Sequence, residues 1–134
     1  MKGDKRTRVS KPIIVGTLPQ VIIDEYELKC DSNDVQMHPG VIKHIKKRHP
    51  GIYEQYSVNM KDIIENPDYV GRNPTEPNSV ELIKLIDKHI LIAVKLDPSG
   101  YLFLSSMYDM HNGPVKIEKR LNSERLKPFK DLLS

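Results

Sequence analysis

The chain has a single cysteine, Cys30, so no intrachain disulfide can form and a cytoplasmic setting is expected. Tryptophan is absent and only two phenylalanines occur in 134 residues, so the core must come mainly from Ile, Leu and Val. No apolar run approaches the roughly 20 residues that cross a bilayer, so no contact with a membrane is expected. The basic beginning of the chain has no long apolar stretch behind it and does not read as a secretory signal. There is no H-E-x-x-H, no phosphate-binding G-x-x-x-x-G-K-S/T loop, no G-x-G-x-x-G and no G-x-S-x-G. The histidines are His38, His44, His49, His89 and His111. His44 and His49 are five residues apart, about 140° around a helix, which is poor geometry for sharing a metal. Neither a metal nor another cofactor is expected.

What the chain does have is clustered positive charge. The net charge of +3 hides three basic blocks. Residues 1–11 carry Lys2, Lys5, Arg6, Arg8 and Lys11 against Asp4. Lys43, Lys46, Lys47 and Arg48 surround His44 and precede His49. Lys116, Lys119, Arg120, Arg125, Lys127 and Lys130 follow near the end, while the stretch 51–115 is net acidic. Such blocks suit a polyanion, though each is also what a solvated helix or tail surface looks like.

The length fits one domain. Residues 1–11 read as a basic flexible arm and 12–134 as a single domain. Pro12–Gly16 and Val21–Leu28 are β-rich and read as strands, and Val35–Met37 as a short extended piece. Pro39-Gly40 opens a helix to about His49 whose apolar stripe is Val41, Ile42 and Ile45, and Pro50-Gly51 ends it. Residues 60–65 form a second short helix before Asn66-Pro67, and 69–71 a short strand. Residues 73–78, with two prolines, read as a loop. Strands at 79–86, 90–96 and 101–108 follow, the last two joined by Asp97-Pro98-Ser99-Gly100, which suits a type I turn with a glycine bulge.

That turn sets a register: Asp97 opposite Tyr101, Leu96 opposite Leu102, Val94 opposite Leu104, Ile92 opposite Ser106 and Ile90 opposite Tyr108. One face then carries Ile90, Ile92, Val94, Leu96, Leu102 and Leu104. The other carries Leu91, Ala93, Lys95, Tyr101, Phe103, Ser105 and Met107. His89 and Asp109 would meet at the open end of the hairpin. Residues 114–133 have helical spacing in Ile117, Leu121 and Leu126. Helices before an antiparallel meander give an α+β class.

Histidine beside Lys and Arg offers proton transfer next to a phosphate-attracting field. Cutting RNA without metal requires a base for the 2′-hydroxyl, an acid for the leaving 5′-oxygen and donors for the charged phosphorane. His44 and His49 are candidates for acid or base. Lys46, Lys47 and Arg48 are candidates for phosphate contact, with Lys84, Arg120 and Arg125 adding to the field. Ser105, on the less apolar face, is a candidate donor. The rival readings are structural: a His near a helix C-terminus suits the helix dipole, and a strand serine is commonplace.

The run Pro39-Gly40-Val41-Ile42-Lys43-His44-Ile45-Lys46-Lys47-Arg48-His49-Pro50 resembles the helix motif of phage-type nuclease domains of the barnase–EndoU–colicin–RelE-like (BECR) superfamily. Residues 62–71 and the strand Tyr101-Leu102-Phe103-Leu104-Ser105-Ser106-Met107-Tyr108 resemble it too, and the likeness spans about residues 12–127. The resemblance implies an N-terminal helical part on a four-stranded antiparallel sheet, followed here by a C-terminal helical segment. It implies metal-independent cleavage of RNA, with tRNA a possible target, by toxins or effectors of phages and mobile elements. Delivery into a target cell and an acidic immunity or antitoxin partner would follow if the domain is a toxin. The carried-over residues are His44, His49 and Ser105 or Ser106, with Ser105 preferred by the register. The glutamate base of such enzymes has no clear match, and Glu81 fits that place only weakly. The alternatives are a non-catalytic nucleic-acid-binding module and an interaction protein of a phage or mobile element.

Overall fold

Apolar residues of this chain sort onto both faces of one sheet, and the division between those faces positions everything that follows. The structure, a computed structural model, describes residues 11–134, so the expected arm lies outside the described residues except for Lys11. The strands are β1 (Ile13–Thr17), β2 (Asp34–Met37), β3 (Tyr69–Asn73), β4 (Glu76–Leu85), β5 (His89–Leu96), β6 (Leu102–Asp109) and β7 (Leu126–Pro128). The helices are α1 (Gln20–Glu25), α2 (Pro39–Arg48), α3 (Ile52–Tyr56), α4 (Met60–Glu65), α5 (Gly113–Asn122) and α6 (Phe129–Leu132), with a 3-10 turn at Ser57–Asn59.

The α+β class stands, but the four-stranded meander under an N-terminal helical part does not. Among the described residues the sheet has seven strands in the order β1-β2-β6-β5-β4-β3-β7. All neighbours are antiparallel except β2 and β6, which run parallel through Val35↔Leu102 and Gln36↔Phe103. The N-terminal strands thus extend one edge of the meander. β7, hidden in a stretch that reads as helix, extends the other against β3.

One local expectation also reverses. Residues 21–28 are not a strand: Pro19 precedes α1, Ile22 and Ile23 turn into the core, and Glu27 closes the segment at φ 51°. Here core burial of adjacent isoleucines overrides β propensity.

The main core lies on one face, where α1 to α4 and α6 cover Val80, Leu82, Ile90, Ile92, Val94, Leu102, Leu104 and Met107. The opposite face holds a smaller cluster of Ile83, Leu91, Met110, Ile117 and Leu126, closed over by α5. The β5–β6 turn behaves as expected: Gly100 sits at φ 109°, its N–H reaches Asp97 O at 2.9 Å, and the Asp97 N–H reaches Tyr101 O at 2.9 Å. Leu96↔Leu102 and Val94↔Leu104 pair as expected.

Beyond them a bulge inserts Ser105, so that Ala93 pairs with Ser106, Ile92 with Met107, Leu91 with Tyr108 and Ile90 with Asp109. The slip sends Met107 into the main core and Tyr108 to the opposite face. Asp109 therefore faces Ile90 and pairs with Lys88 at 3.6 Å instead of meeting His89.

Candidate active site

The bulge aligns a row of residues across the sheet on the face away from the main core. Gly71 on β3, Glu81 on β4, Ala93 on β5 and Ser106 on β6 are successive partners. Glu81 is the chemically unusual member, since its side chain is only 5% exposed at the centre of the sheet. A carboxylate in that position needs a charged partner.

Arg125 supplies one: its Nη2 donates to both Glu81 oxygens, at 3.0 and 3.1 Å. Arg120 Nη1 stands 3.9 Å from Oε1. The sequence delivers both arginines by local means. In α5, Ile117 and Leu121 pack on the sheet, and Arg120, three residues after Ile117, shares their flank. Arg125 follows a turn at Glu124, φ 63°, and directly precedes β7. β7 lies so close to β3 that a Cβ on Gly71 would sit 2.3 Å from Arg125 O, so only glycine permits the approach that brings Arg125 onto Glu81.

Two guanidinium atoms, Arg120 Nη1 and Arg125 Nε, are buried without a hydrogen-bond acceptor. Tyr108 lies on the same sheet face, packed against the cluster that α5 covers. Burial pushes its phenol above the ordinary value and Glu81 adds to the rise, while Arg120 and Arg125 oppose it. The His49 ring lies against the Tyr108 ring, with centroids 5.1 Å apart and planes 32° apart.

His49 gets there as the C-cap of α2. Its N–H bonds Ile45 O at 2.8 Å, and Ile45 anchors the helix in the core. Lys46, Lys47 and Arg48 fill the last turn, where cations suit the helix dipole, and all three are exposed.

The structure gathers Arg120 and Arg125 on Glu81, sets Ser106 in the Glu81 row, and puts the His49 ring against Tyr108. It leaves others apart. His44 is exposed on the flank of α2, and its side chain makes no hydrogen bond or ring contact with the described residues. Lys46 reaches over the Tyr53 ring at 5.4 Å and pairs with Glu54 at 3.9 Å. Ser105 is the bulged residue, and its hydroxyl already donates to Ala93 O at 3.3 Å. Ser106 does not point with the core residues: it opposes Ala93 in the Glu81 row. Lys84 lies on the strand face opposite Glu81, bound to Asn66 O at 2.8 Å and near Asp62 and Asp68 at 3.7 and 3.9 Å, so it clasps α4 to the sheet instead of lining the site.

Tyr108 was missed because strict alternation from the turn assigns it to the core. The available signal was the spacing of Leu102, Leu104 and Met107, which breaks period two across the serine pair. Cys30 is half-buried, and burial raises its thiol above the ordinary range. Among the described residues no group of His, Cys, Asp and Glu is arranged to hold a metal, and no helix is long and apolar enough to cross a membrane.

Neither the curated proteins nor the solved structures compared with the chain include a match. A family model does match: phage-Barnase-EndoU-ColicinE5/D-RelE like nuclease3, over residues 12–118. His49, Glu81, Ser106 and Tyr108 lie within the matched stretch, and Arg120 and Arg125 lie just beyond it. The chain belongs to this family of BECR-type nucleases, which makes nucleic acid its class of substrate.

Proposed function

We propose that the protein is a metal-independent endoribonuclease, with tRNA among its possible targets, cutting RNA by attack of a 2′-hydroxyl to leave a 2′,3′-cyclic phosphate. The observation that carries this reading is the Glu81–Arg125–Arg120 cluster with its unpartnered guanidinium atoms, beside the His49–Tyr108 pair. A single nitrogen of Arg125 serves both Glu81 oxygens, so lone pairs remain on the carboxylate. Glu81 takes the proton of the 2′-hydroxyl, whose oxygen then attacks phosphorus. His49 gives a proton to the departing 5′-oxygen. The exposed parts of the Arg120 and Arg125 guanidinium groups bind the phosphorane oxygens, the role in which fixed donors lower a barrier most. Ser106 faces the same row, and Lys46, Lys47 and Arg48 draw the flanking backbone toward the helix end.

The test is incubation of tRNA and total RNA in EDTA, with end-group analysis of the fragments. Cyclic phosphate ends support the mechanism. Cleavage that disappears in EDTA, or that leaves other ends, rejects it.

A second reading rests on the burial of Glu81 in its ion pair, which is also how a structural bridge looks. In that case the domain binds nucleic acid without cutting it, and binding is steeply salt-dependent with no turnover. If the domain acts as a toxin, an acidic inhibitor protein is the partner whose charge complements Lys46, Lys47 and Arg48. Co-purification from the native host tests that partner.

A further inference from the structure

Phe103 is one of two phenylalanines, and the other, Phe129, is buried in the main core. Phe103 belongs to neither core cluster and is only half-buried, on the same face as Glu81. α5 covers the end of that face near Leu91 and Ile83 but leaves the Phe103 end open. Tyr101 and His38 gather round it: Tyr101–Phe103 centroids are 5.8 Å apart, His38–Phe103 6.5 Å and His38–Tyr101 5.9 Å.

Against Phe103 lies a cleft of about 360 Å³, walled by Pro77, Asn78, Ser79, Lys95 and Leu96. That volume is near the lower limit for small-ligand sites and suits one flat ring system. Its polar groups are the Asn78 amide, the Ser79 hydroxyl, the Asp97 carboxylate, and the Lys95 ammonium with Glu76, which pair at 2.5 Å. An amide offers both donors and an acceptor to the edge of a base.

Lys95 pairs with Ser79 and Phe103, while Ala93 pairs with Glu81 and Ser106. The Phe103 row is therefore two residues along the strand from the Glu81 row, about 7 Å. A nucleotide can bridge that gap, with its phosphate at Arg120 and Arg125 and its base on Phe103. Charge agrees with this polarity: the arginines mark the phosphate end and the ring cluster marks the base end.

We propose that the cleft at Phe103 is a nucleobase subsite, which stacks one base of the substrate on Phe103 and reads its edge with Asn78. The proposal deepens the ribonuclease reading and rests on it for the orientation of the substrate.

The test is titration of the full chain with the four ribonucleoside 3′-monophosphates, followed by backbone amide NMR, with ribose 5-phosphate as the baseless control. Nucleotides should shift the amides of Asn78, Lys95 and Phe103, and ribose 5-phosphate should leave them in place. Phe103→Leu should weaken nucleotide binding by about fivefold or more, and Phe103→Tyr should retain it. Asn78→Ala should reduce the difference in affinity between bases. Shifts confined to the Arg120 and Arg125 region and equal for the control would overturn the subsite, as would no binding or unchanged affinity in Phe103→Leu. RNA cleavage in EDTA, measured on the same wild-type sample, separates the two claims. Base binding without cleavage rejects the nuclease mechanism alone, and cleavage without base binding rejects the subsite alone.

Discussion

Replacing Arg125 with Met removes the guanidinium that holds both oxygens of a nearly buried carboxylate, and the size of the effect follows from the geometry. At 3.0 Å and an effective dielectric near 20, the attraction between the charges is about 5 kcal/mol. Arg120, at 3.9 Å, stays behind and offsets part of the loss. Breaking a buried ion pair by removing one partner costs about 3–5 kcal/mol. Arg125 is itself 27% exposed, which places the expected loss at the lower end, about 3 kcal/mol. With an unfolding entropy of about 2.1 cal/mol/K per residue, that loss lowers Tm by about 10 °C.

Glu81→Gln keeps the shape and one acceptor oxygen and should cost about 1–2 kcal/mol. The double variant should be less destabilised than the sum of the singles by about 2 kcal/mol. Urea unfolding of the wild type, both singles and the double completes the cycle. A coupling below about 0.5 kcal/mol would refute the claim that Arg125 secures Glu81.

Other consequences are checked more simply. Gly71→Ala places a Cβ 2.3 Å from Arg125 O and must part β3 from β7, so thermal unfolding should show a loss of about 2 kcal/mol and RNA cleavage should fall with it. His49→Ala should lower the cleavage rate by about 10²–10⁴ whereas His44→Ala should change it by less than about tenfold; equal losses would reject the assignment of His49 as the acid. The Tyr56 hydroxyl, pushed up to about 12 by burial and by its hydrogen bond to Asp87, is raised above its unfolded value. Its stabilising contribution is therefore full below the unfolded pKa near 10 and is lost as pH rises toward about 12. Tyr56→Phe should flatten that alkaline decline in stability measured by urea unfolding.

Much of the frame was legible because it depends on local rules. Gly100 after Pro98 announced the tight turn, and the stripe of Val41, Ile42 and Ile45 announced α2 with His49 at its end. The rest depended on pairings between distant segments. Nothing near Val35 says that β2 will run parallel to β6, and three residues at Leu126 are too few to stand out from a helical stretch. The isoleucines at 22 and 23 look like strand until Pro19 and the core force a helix. At the candidate site, His49 and Arg120 were named from charge and position, but Glu81 drew only weak support because its significance comes from burial and from Arg125. Tyr108 needed the Ser105 bulge, which a register counted from the turn steps over. Lys84 was named for its charge, and only the face it occupies removes it from the site.

Glu81 is the base on which the proposed reaction depends, and the rate of RNA cleavage in EDTA by Glu81→Gln is the measurement that bears on it most directly. The wild type should cut RNA to 2′,3′-cyclic phosphate ends, and the folded variant should do so at least about 100-fold more slowly. A folded Glu81→Gln protein that cuts at the wild-type rate, or a wild type that does not cut at all, would contradict it.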